Sequence, residues 1–262
     1  MSGLMSLDKA VRTLLESLSK LEETESVPLI DCVGRVLTED LIAPINVPPY
    51  TNSAMDGYAL RSSDLEPAPT MLNISQRIIA GSLGTELLKG EAARIFTGAP
   101  LPDGADCVAM QENCIVNGEK VEVLDKLNSG DNLRFAGEDI KIGSTLLESG
   151  VRLAPQDIGL AASVGLARLS VKRRLRVALI STGNELIQPG EQLLPGQIYN
   201  SNLYSLSALL KGMRCEIVYS GIVRDDFEET KKLLLETALE ADCIITTGGV
   251  SVGEEDHVKA AI

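Results

Sequence analysis

The chain has no tryptophan, a single histidine and only 3% aromatic residues. A platform for stacked nucleic-acid bases needs such rings, so that class of function is disfavoured. Positive charge is scarce too. Against 37 Asp and Glu there are 24 Lys and Arg, a net charge of −13, which leaves no basic face for a phosphate backbone. No apolar run reaches the ~20 residues of a membrane span, and no basic region followed by an apolar core opens the chain. Five cysteines (Cys32, Cys107, Cys114, Cys215 and Cys243) show no CxxC spacing. An odd, unpaired set reads as reduced, mostly buried thiols of a cytoplasmic protein, not as a zinc site. No Gly-Lys-Ser/Thr follows a glycine turn, which excludes a P-loop. The lone His257 supports no Ser/His/Asp triad and reads as a helix-capping or solvent-facing residue.

What remains is a globular composition, 44% hydrophobic and 23% charged, long enough at 262 residues for one large or a few small domains. Residues 6–21 place apolar side chains at helical spacing behind Ser6, a fitting N-cap, and suit packing or dimerisation. Residues 27–43 alternate around Gly34 as strand, turn, strand. Prolines then hold 44–49 extended, Asp56-Gly57 makes a tight turn, and 58–60 resumes a strand. Alone, Asp56 is an ordinary turn aspartate; a functional role needs a partner. Residues 62–133 are short strands with frequent turns, such as Lys89-Gly90 and Asn117-Gly118, expected to form a small β-barrel or sandwich inserted as its own domain. Within it Thr97-Gly98 ends a strand, and a Pro-bearing loop carries Asp103 and Asp106. Residues 157–165, with Gly159 and Gly165, read as a short, closely packed helix. The basic run Lys172-Arg173-Arg174 reads as a solvated linker or an anion patch.

From Arg176 the period changes. Strands at 177–180, 215–223 and 243–245 alternate with helices at 204–213 and 227–240. That is β-α-β-α-β, a doubly wound parallel sheet. Such sheets bind ligands beyond the carboxyl ends of their strands. Here those ends are Ser181-Thr-Gly-Asn-Glu185, Arg224-Asp-Asp226, and a glycine turn from Thr247 to Gly253 that leads to Asp256. Each could be a plain βα turn with capping acids. Taken together, topology gathers Glu185, Asp225 and Asp256 on one rim with two glycine turns. Carboxylates around a phosphate nest suit Mg²⁺, with substrate phosphates completing its shell. The implied chemistry is transfer at, or hydrolysis of, a phosphoanhydride.

Five blocks occur in a set order. They are Asn-Ser-Ala-Met-Asp-Gly-Tyr-Ala at 52–59, Thr-Gly-Ala-Pro-Leu-Pro-Asp-Gly-Ala-Asp at 97–106, Gly-Glu-Asp at 137–139, Ser-Thr-Gly-Asn-Glu-Leu at 181–186, and Thr-Gly-Gly-Val-Ser-Val-Gly at 247–253. In that order they resemble the MoeA/gephyrin E-domain family of molybdopterin molybdenumtransferases, and the likeness runs along the whole chain. The first block is highly specific; the glycine turn alone is shared with the related adenylyltransferases. The resemblance implies that adenylylated molybdopterin and molybdate give molybdenum cofactor and AMP with Mg²⁺. It also implies a homodimer in which the Asp56 and Thr97 region of one subunit faces the α/β site of the other. Asp56, Thr97, Arg134 and Asp139 match catalytic positions. Ser181, Thr182, Gly183, Asn202, Gly248, Gly249, Ser251 and Gly253 match substrate-binding ones, and Glu185, Asp225 and Asp256 match metal ones. By chemistry, Thr97 and Arg134 suit an oxyanion such as molybdate.

The fold implied is multidomain, α/β plus β. An elongated dimerisation region (1–52 and 134–172) carries an inserted β domain (53–133), and a molybdopterin-binding α/β domain (173–262) follows, incomplete at its C-terminus. Family members often carry an extra basic residue where this chain has Phe135-Ala136, and they continue past residue 262. Residues 1–262 alone are therefore expected to have weak or no activity. Rival readings are a molybdopterin adenylyltransferase, which otherwise would be a partner, and a gephyrin-like scaffold. The 170 or so residues before the α/β domain count against the first, and no peptide groove marks the second.

Overall fold

The structure, a computed structural model, describes residues 5–249 and 257–262. Its helices are α1 (Leu7–Ser17), α2 (Pro155–Ser163), α3 (Ser201–Gly212), α4 (Phe227–Ala238) and α5 (Val258–Ala261). Its first strands are β1 (Thr24–Pro28), β2 (Leu41–Ile42), β3 (Asn52–Ser53), β4 (Gly57–Leu60), β5 (Thr70–Ile78) and β6 (Glu91–Ile95). Then come β7 (Cys107–Met110), β8 (Cys114–Asn117), β9 (Lys120–Val123), β10 (Leu133–Arg134), β11 (Thr145–Leu147) and β12 (Arg168–Lys172). The last are β13 (Arg176–Thr182), β14 (Leu186–Ile187), β15 (Ile198–Tyr199), β16 (Glu216–Val223) and β17 (Cys243–Thr247). The chain divides into two compact units. One comprises Met1–Val27, Cys32–Thr38 and Ser170–Ile262; the other comprises Pro28–Asp31 and Glu39–Leu169.

In the first unit the expected parallel sheet is present, in the order β16-β13-β17. β13 sits at its centre, parallel to both neighbours. Along β13 the side chains alternate between faces, as a pleated strand requires. Val177 and Leu179 pack with Leu203 and Leu210 of α3. Ile180 packs on the other face with Val223 and with Leu234 of α4. The helices therefore cover both faces, and each buried aliphatic side chain contributes about 1.5–3 kcal/mol. Strand order reverses at β13: the first crossover leads to β16 on one side, the second to β17 on the other. The crevice of such a sheet opens where the order reverses, at the carboxyl ends of β13 and β17.

α1 begins at its N-cap Ser6, whose hydroxyl accepts the Lys9 N–H, and ends at Ser17, short of residue 21. None of its residues is buried. Within the basic run Arg174 is exposed, but Arg173 is neither solvated nor open to an anion. Arg173 donates to Asp242 through two nitrogens, at 2.6 and 2.7 Å, and to Glu23 at 2.7 Å. Its side chain is 13% exposed, against 21% for Asp242 and 66% for Glu23, so the Asp242 arm carries most of the stabilisation. The clamp fixes the start of β17, because Asp242 also accepts the Arg176 N–H at the start of β13.

The second unit holds one mixed sheet in the order β7-β4-β6-β5-β9-β8. The expected small barrel or sandwich is thus met in part, by a single sheet whose edge strands are not hydrogen-bonded to each other. β7 and β8 are consecutive in sequence, yet each pairs with a different neighbour, β4 and β9, and they stand at opposite edges. Short strands and turns reveal how many strands exist, not whether the edges meet. Both faces of β4 are buried. Tyr58 and Leu60 enter one apolar cluster with Leu72, Val121 and Val123. Ala59 enters another with Ile78, Ile95 and Val108. Gly57 has no room for a side chain, since a Cβ there would lie 1.9 Å from the Ala109 carbonyl oxygen.

Residues 27–43 do not fold back on themselves as a hairpin. β1 pairs with β12, and β2 with β11, because a short helical turn (Leu29–Asp31) and Gly34 at φ +80° turn the chain away. Nothing lies within 4 Å of a Cβ built on Gly159, so close packing does not explain that glycine in α2. All five cysteines are free, as expected, but only Cys32 and Cys107 are buried, and Cys243 is exposed because it opens β17 at the sheet margin. Burial pushes the Cys114 thiol up to about 11.

Arg173→Met is expected to cost about 1.5–3 kcal/mol, the range for hydrogen bonds to charged groups, read as a lower urea midpoint at unchanged slope. Arg173 holds the Asp242 carboxyl down at about 2. A depressed folded pKa adds stability above the ordinary value of 3.8, and that stability is lost as pH falls toward 2. Between about pH 5 and pH 2 the protein should therefore lose stability more steeply than Asp242→Asn.

Candidate functional site

The crevice predicted by the strand order holds a cavity of about 170 Å³. Thr182, Glu185, Asn200, Asn202, Thr247 and Gly248 are among the residues that line it. Its floor is a relay of side chains. The Thr247 hydroxyl donates to Ser181 Oγ at 3.0 Å, and Ser181 donates to Asn200 Oδ1 at 3.4 Å. Asn200, the N-cap of α3, also accepts the Leu203 N–H at 3.2 Å. Both donors engage the amide oxygen, so the amide nitrogen is turned the other way. Asn200 is 2% exposed and its Nδ2 has no acceptor among the described residues. Thr182, 7% exposed, likewise has a buried Oγ1 without a partner among them. An unsatisfied buried polar group costs about 1–3 kcal/mol, and such exceptions collect where a ligand supplies the missing partner.

Glycines give this crevice its shape. Gly248 and Gly249 have φ of +90° and +64°, and a Cβ on either would lie 2.7–2.8 Å from Thr182 Oγ1. A Cβ on Gly183 would lie 2.6 Å from a Glu185 carboxylate oxygen. Backbone thus approaches side chain more closely than any other residue type permits.

The three expected metal-binding acids do not stand alike. Glu185 lines the cavity. Asp225 does not line it: its carboxylate accepts the Asn184 N–H at 3.0 Å, while the Asp225 N–H donates to Asn184 Oδ1 at 3.4 Å. This reciprocal clasp secures the loop that presents Glu185. Asp256, Ser251 and Gly253 lie outside the described residues. Among the described residues no three metal-ligating side chains converge. His257 is the N-cap of α5 and meets the Phe227 ring edge-on, centroids 6.4 Å apart.

In the second unit, Asp56 has the partner that sequence alone could not supply. Asp56 Oδ1 accepts both the N–H and the hydroxyl of Thr97, each at 2.8 Å. These bonds hold its carboxyl below the ordinary range, the backbone N–H having the larger effect. Arg134 donates to Asp139 at 2.5 Å. Between the two pairs runs β3, which joins Asn52 to Arg134 of β10 and accepts the Gly98 N–H at Ser53. Asn52 carries another buried, unpartnered atom, Oδ1.

Sequence reasoning overlooked Asn200 and the role of Asn52. Asn200 had a usable signal, an asparagine at a strand-to-helix junction where N-caps belong. Asn52 was singled out as part of the 52–59 block, but not for its own role, which lies in what β10 leaves unsatisfied beside it.

Two family models match the chain in succession. A family model described as "MoeA N-terminal region (domain I and II)" matches residues 5–165, and one described as "Probable molybdopterin binding domain" matches 178–262. A molybdopterin molybdenumtransferase of Haemophilus influenzae is 40% identical over 261 residues, 99% of this chain and 64% of that protein. Molybdopterin molybdenumtransferase 2 of Mycobacterium tuberculosis is 41% identical over 241 residues, 90% of this chain and 60% of that protein. A crystal structure of a molybdopterin biosynthesis MoeA protein from Pyrococcus horikoshii has a TM-score of 0.85 at 34% identity, covering 94% of this chain and 67% of that one. The chain thus spans 60–64% of the length of these two curated relatives.

Thr97→Val removes one of the two bonds to Asp56 and keeps the other. The Asp56 carboxyl should then titrate at a higher pH than in the parent, read by carbonyl NMR of the side chain, with the fold unchanged.

Proposed function

From the premise that this chain belongs to the MoeA family, we propose that it serves molybdenum-cofactor synthesis as a molybdopterin molybdenumtransferase. Adenylylated molybdopterin occupies the crevice at the ends of β13 and β17, molybdate donates the metal, and AMP leaves. The observation that carries this reading is the crevice itself, where Asn200 Nδ2 and Thr182 Oγ1 lie buried without partners among glycines. A ligand rich in oxygen and nitrogen restores the bonds those atoms lack. A preformed polar site of this kind favours developing charge without reorganising at the moment of reaction.

The donor chemistry suits Mg²⁺. Glu185 offers a hard carboxylate at the cavity, and Asp225 engages Asn184 through one oxygen only. Of the expected acids, Glu185 is the one that lines the cavity and would hold the ion there; Asp225 would have to leave its clasp with Asn184 to join it. Bound there, the ion would polarise a phosphoanhydride as a Lewis acid. Asn184 keeps the Glu185 loop in place, and Asn200 and Thr182 orient the substrate. In the other unit, Asp56, Thr97, Arg134 and Asp139 form the second half of the site. There the Arg134 guanidinium, paired with Asp139 through one nitrogen, retains donors for an oxyanion.

The homodimer belongs to the same proposal, with one subunit supplying the Asp56 group and its partner the crevice. Support comes from α1. Leu7, Val11, Leu14 and Leu18 follow one another at steps of four, three and four, and are 46–78% exposed. Such a stripe is the seam of a helix pair. The protein acts in the cytoplasm on this reading.

Release of AMP from adenylylated molybdopterin, followed with and without molybdate, tests the function. Glu185→Gln should lower the molybdate-dependent rate by about 10- to 100-fold, as losses around a metal typically do. Release indifferent to molybdate would sink the proposal. For the dimer, Val11→Glu with Leu14→Glu should sediment as a monomer where the parent sediments as a dimer.

A further inference from the structure

Beneath the Asp56 turn lies an arginine that none of the chemistry above employs. Arg94 stands on β6 opposite Tyr58 of β4. Its Nη1 donates to the Gly57 carbonyl at 2.8 Å, and its Nη2 donates to Gln111 Oε1 at 2.7 Å. Gln111 in turn donates its backbone N–H to the Asp56 carbonyl at 3.0 Å. Both carbonyls of the turn are therefore held, one by the guanidinium and the other by the residue the guanidinium grips. No side chain could brace the turn from position 57, where a Cβ would collide with the Ala109 carbonyl. Holding it through its carbonyls is what remains.

The same guanidinium reaches the other partner of the pair. It lies 4.5 Å from the centroid of Phe96 and 5.2 Å from that of Tyr58, within cation–π range. Phe96 immediately precedes Thr97, the residue whose N–H and hydroxyl carry the Asp56 carboxylate. Arg94 is thus fastened to the Asp56 turn by hydrogen bonds and to the Thr97 strand by stacking. A planar guanidinium can fork between two acceptors while its face stacks on a ring; an ammonium has no such fork or face.

We propose that Arg94 is a positioning residue for Asp56, setting the distance and angle at which that carboxylate meets Thr97 and the substrate. The proposal rests on the reading of Asp56 as part of the active site. A nearby positive charge also favours the ionised carboxylate, adding to the larger effect of Thr97.

The test uses the full protein in the molybdate-dependent AMP-release assay, with kcat, KM and the pH profile measured for four variants. Arg94→Met should lower kcat by about 10- to 100-fold, the scale of a misplaced catalytic group, with KM little changed and the acid limb of kcat moved to higher pH. Arg94→Lys keeps the charge without the forked grip, so the acid limb should return while kcat stays low. Arg77→Met is the control for packing. Arg77 stacks on the same Phe96 ring at 4.9 Å but lacks the bonds to Gly57 and Gln111, so kcat should stay at the parent value. Asp56→Asn should be inactive. If Arg94→Met does not fold, Arg94→Lys carries the test. A parent-like kcat in the Arg94 variants beside an inactive Asp56→Asn overturns the positioning role alone, as does an equal loss in Arg77→Met. A fully active Asp56→Asn removes the underlying reading and this proposal with it.

Discussion

The relay from Thr247 through Ser181 to Asn200 is the interaction on which the crevice depends. It joins the outer strand β17, the central strand β13 and the first turn of α3 at the one edge of the sheet where backbone hydrogen bonding stops. Each hydroxyl donates in one direction, and the relay ends on an amide oxygen that already caps a helix. The Asn200 nitrogen is thereby fixed and left over. A single geometric constraint so closes the floor of the crevice and leaves a buried donor without a partner among the described residues.

The same logic recurs in the second unit with different parts. Asp56 receives two donors from Thr97 on one carboxylate oxygen, and the turn that carries it is pinned through its carbonyls. Asp225 and Asn184 clasp each other, so the loop before Glu185 cannot drift. In each case a carboxylate is fixed by its neighbours before any ligand arrives. Preorganisation of this kind lets a group act without first giving up hydration or rotamer freedom. It also explains why so many turns here are glycine: at Gly57, Gly183 and Gly248 a Cβ would occupy space that another group already uses.

Charge is distributed with the same economy. The chain is strongly acidic, yet Arg173 of the local basic run is drawn inward to hold Glu23 and Asp242 rather than displayed. That arrangement ties the start of β17 to the start of β13 at the end of the sheet opposite the crevice. The sheet is thus pinned by an ion pair below and by hydroxyls above.

The doubly wound sheet was legible in the sequence because its signals are local: apolar runs of strand length, helical periodicity, and glycines at the strand ends. From these the site's position follows by topology, since a reversal of strand order opens one crevice and no other. The NSAMDGYA and TGAPLPDGAD blocks could likewise be singled out by residue type. What residue type could not reveal is partnership. That Asp56 meets Thr97, that Asp225 serves a loop rather than the cavity, that Arg173 is a clamp, and that the inserted strands form an open sheet all depend on which distant segments meet. Hydrogen-bond partners and sheet edges are decided by long-range register, and register leaves no periodic trace in a single sequence. Sequence by itself therefore determined the elements and the chemical inventory of this protein. Tertiary structure alone decided which members of that inventory are already satisfied, and so which remain free to bind.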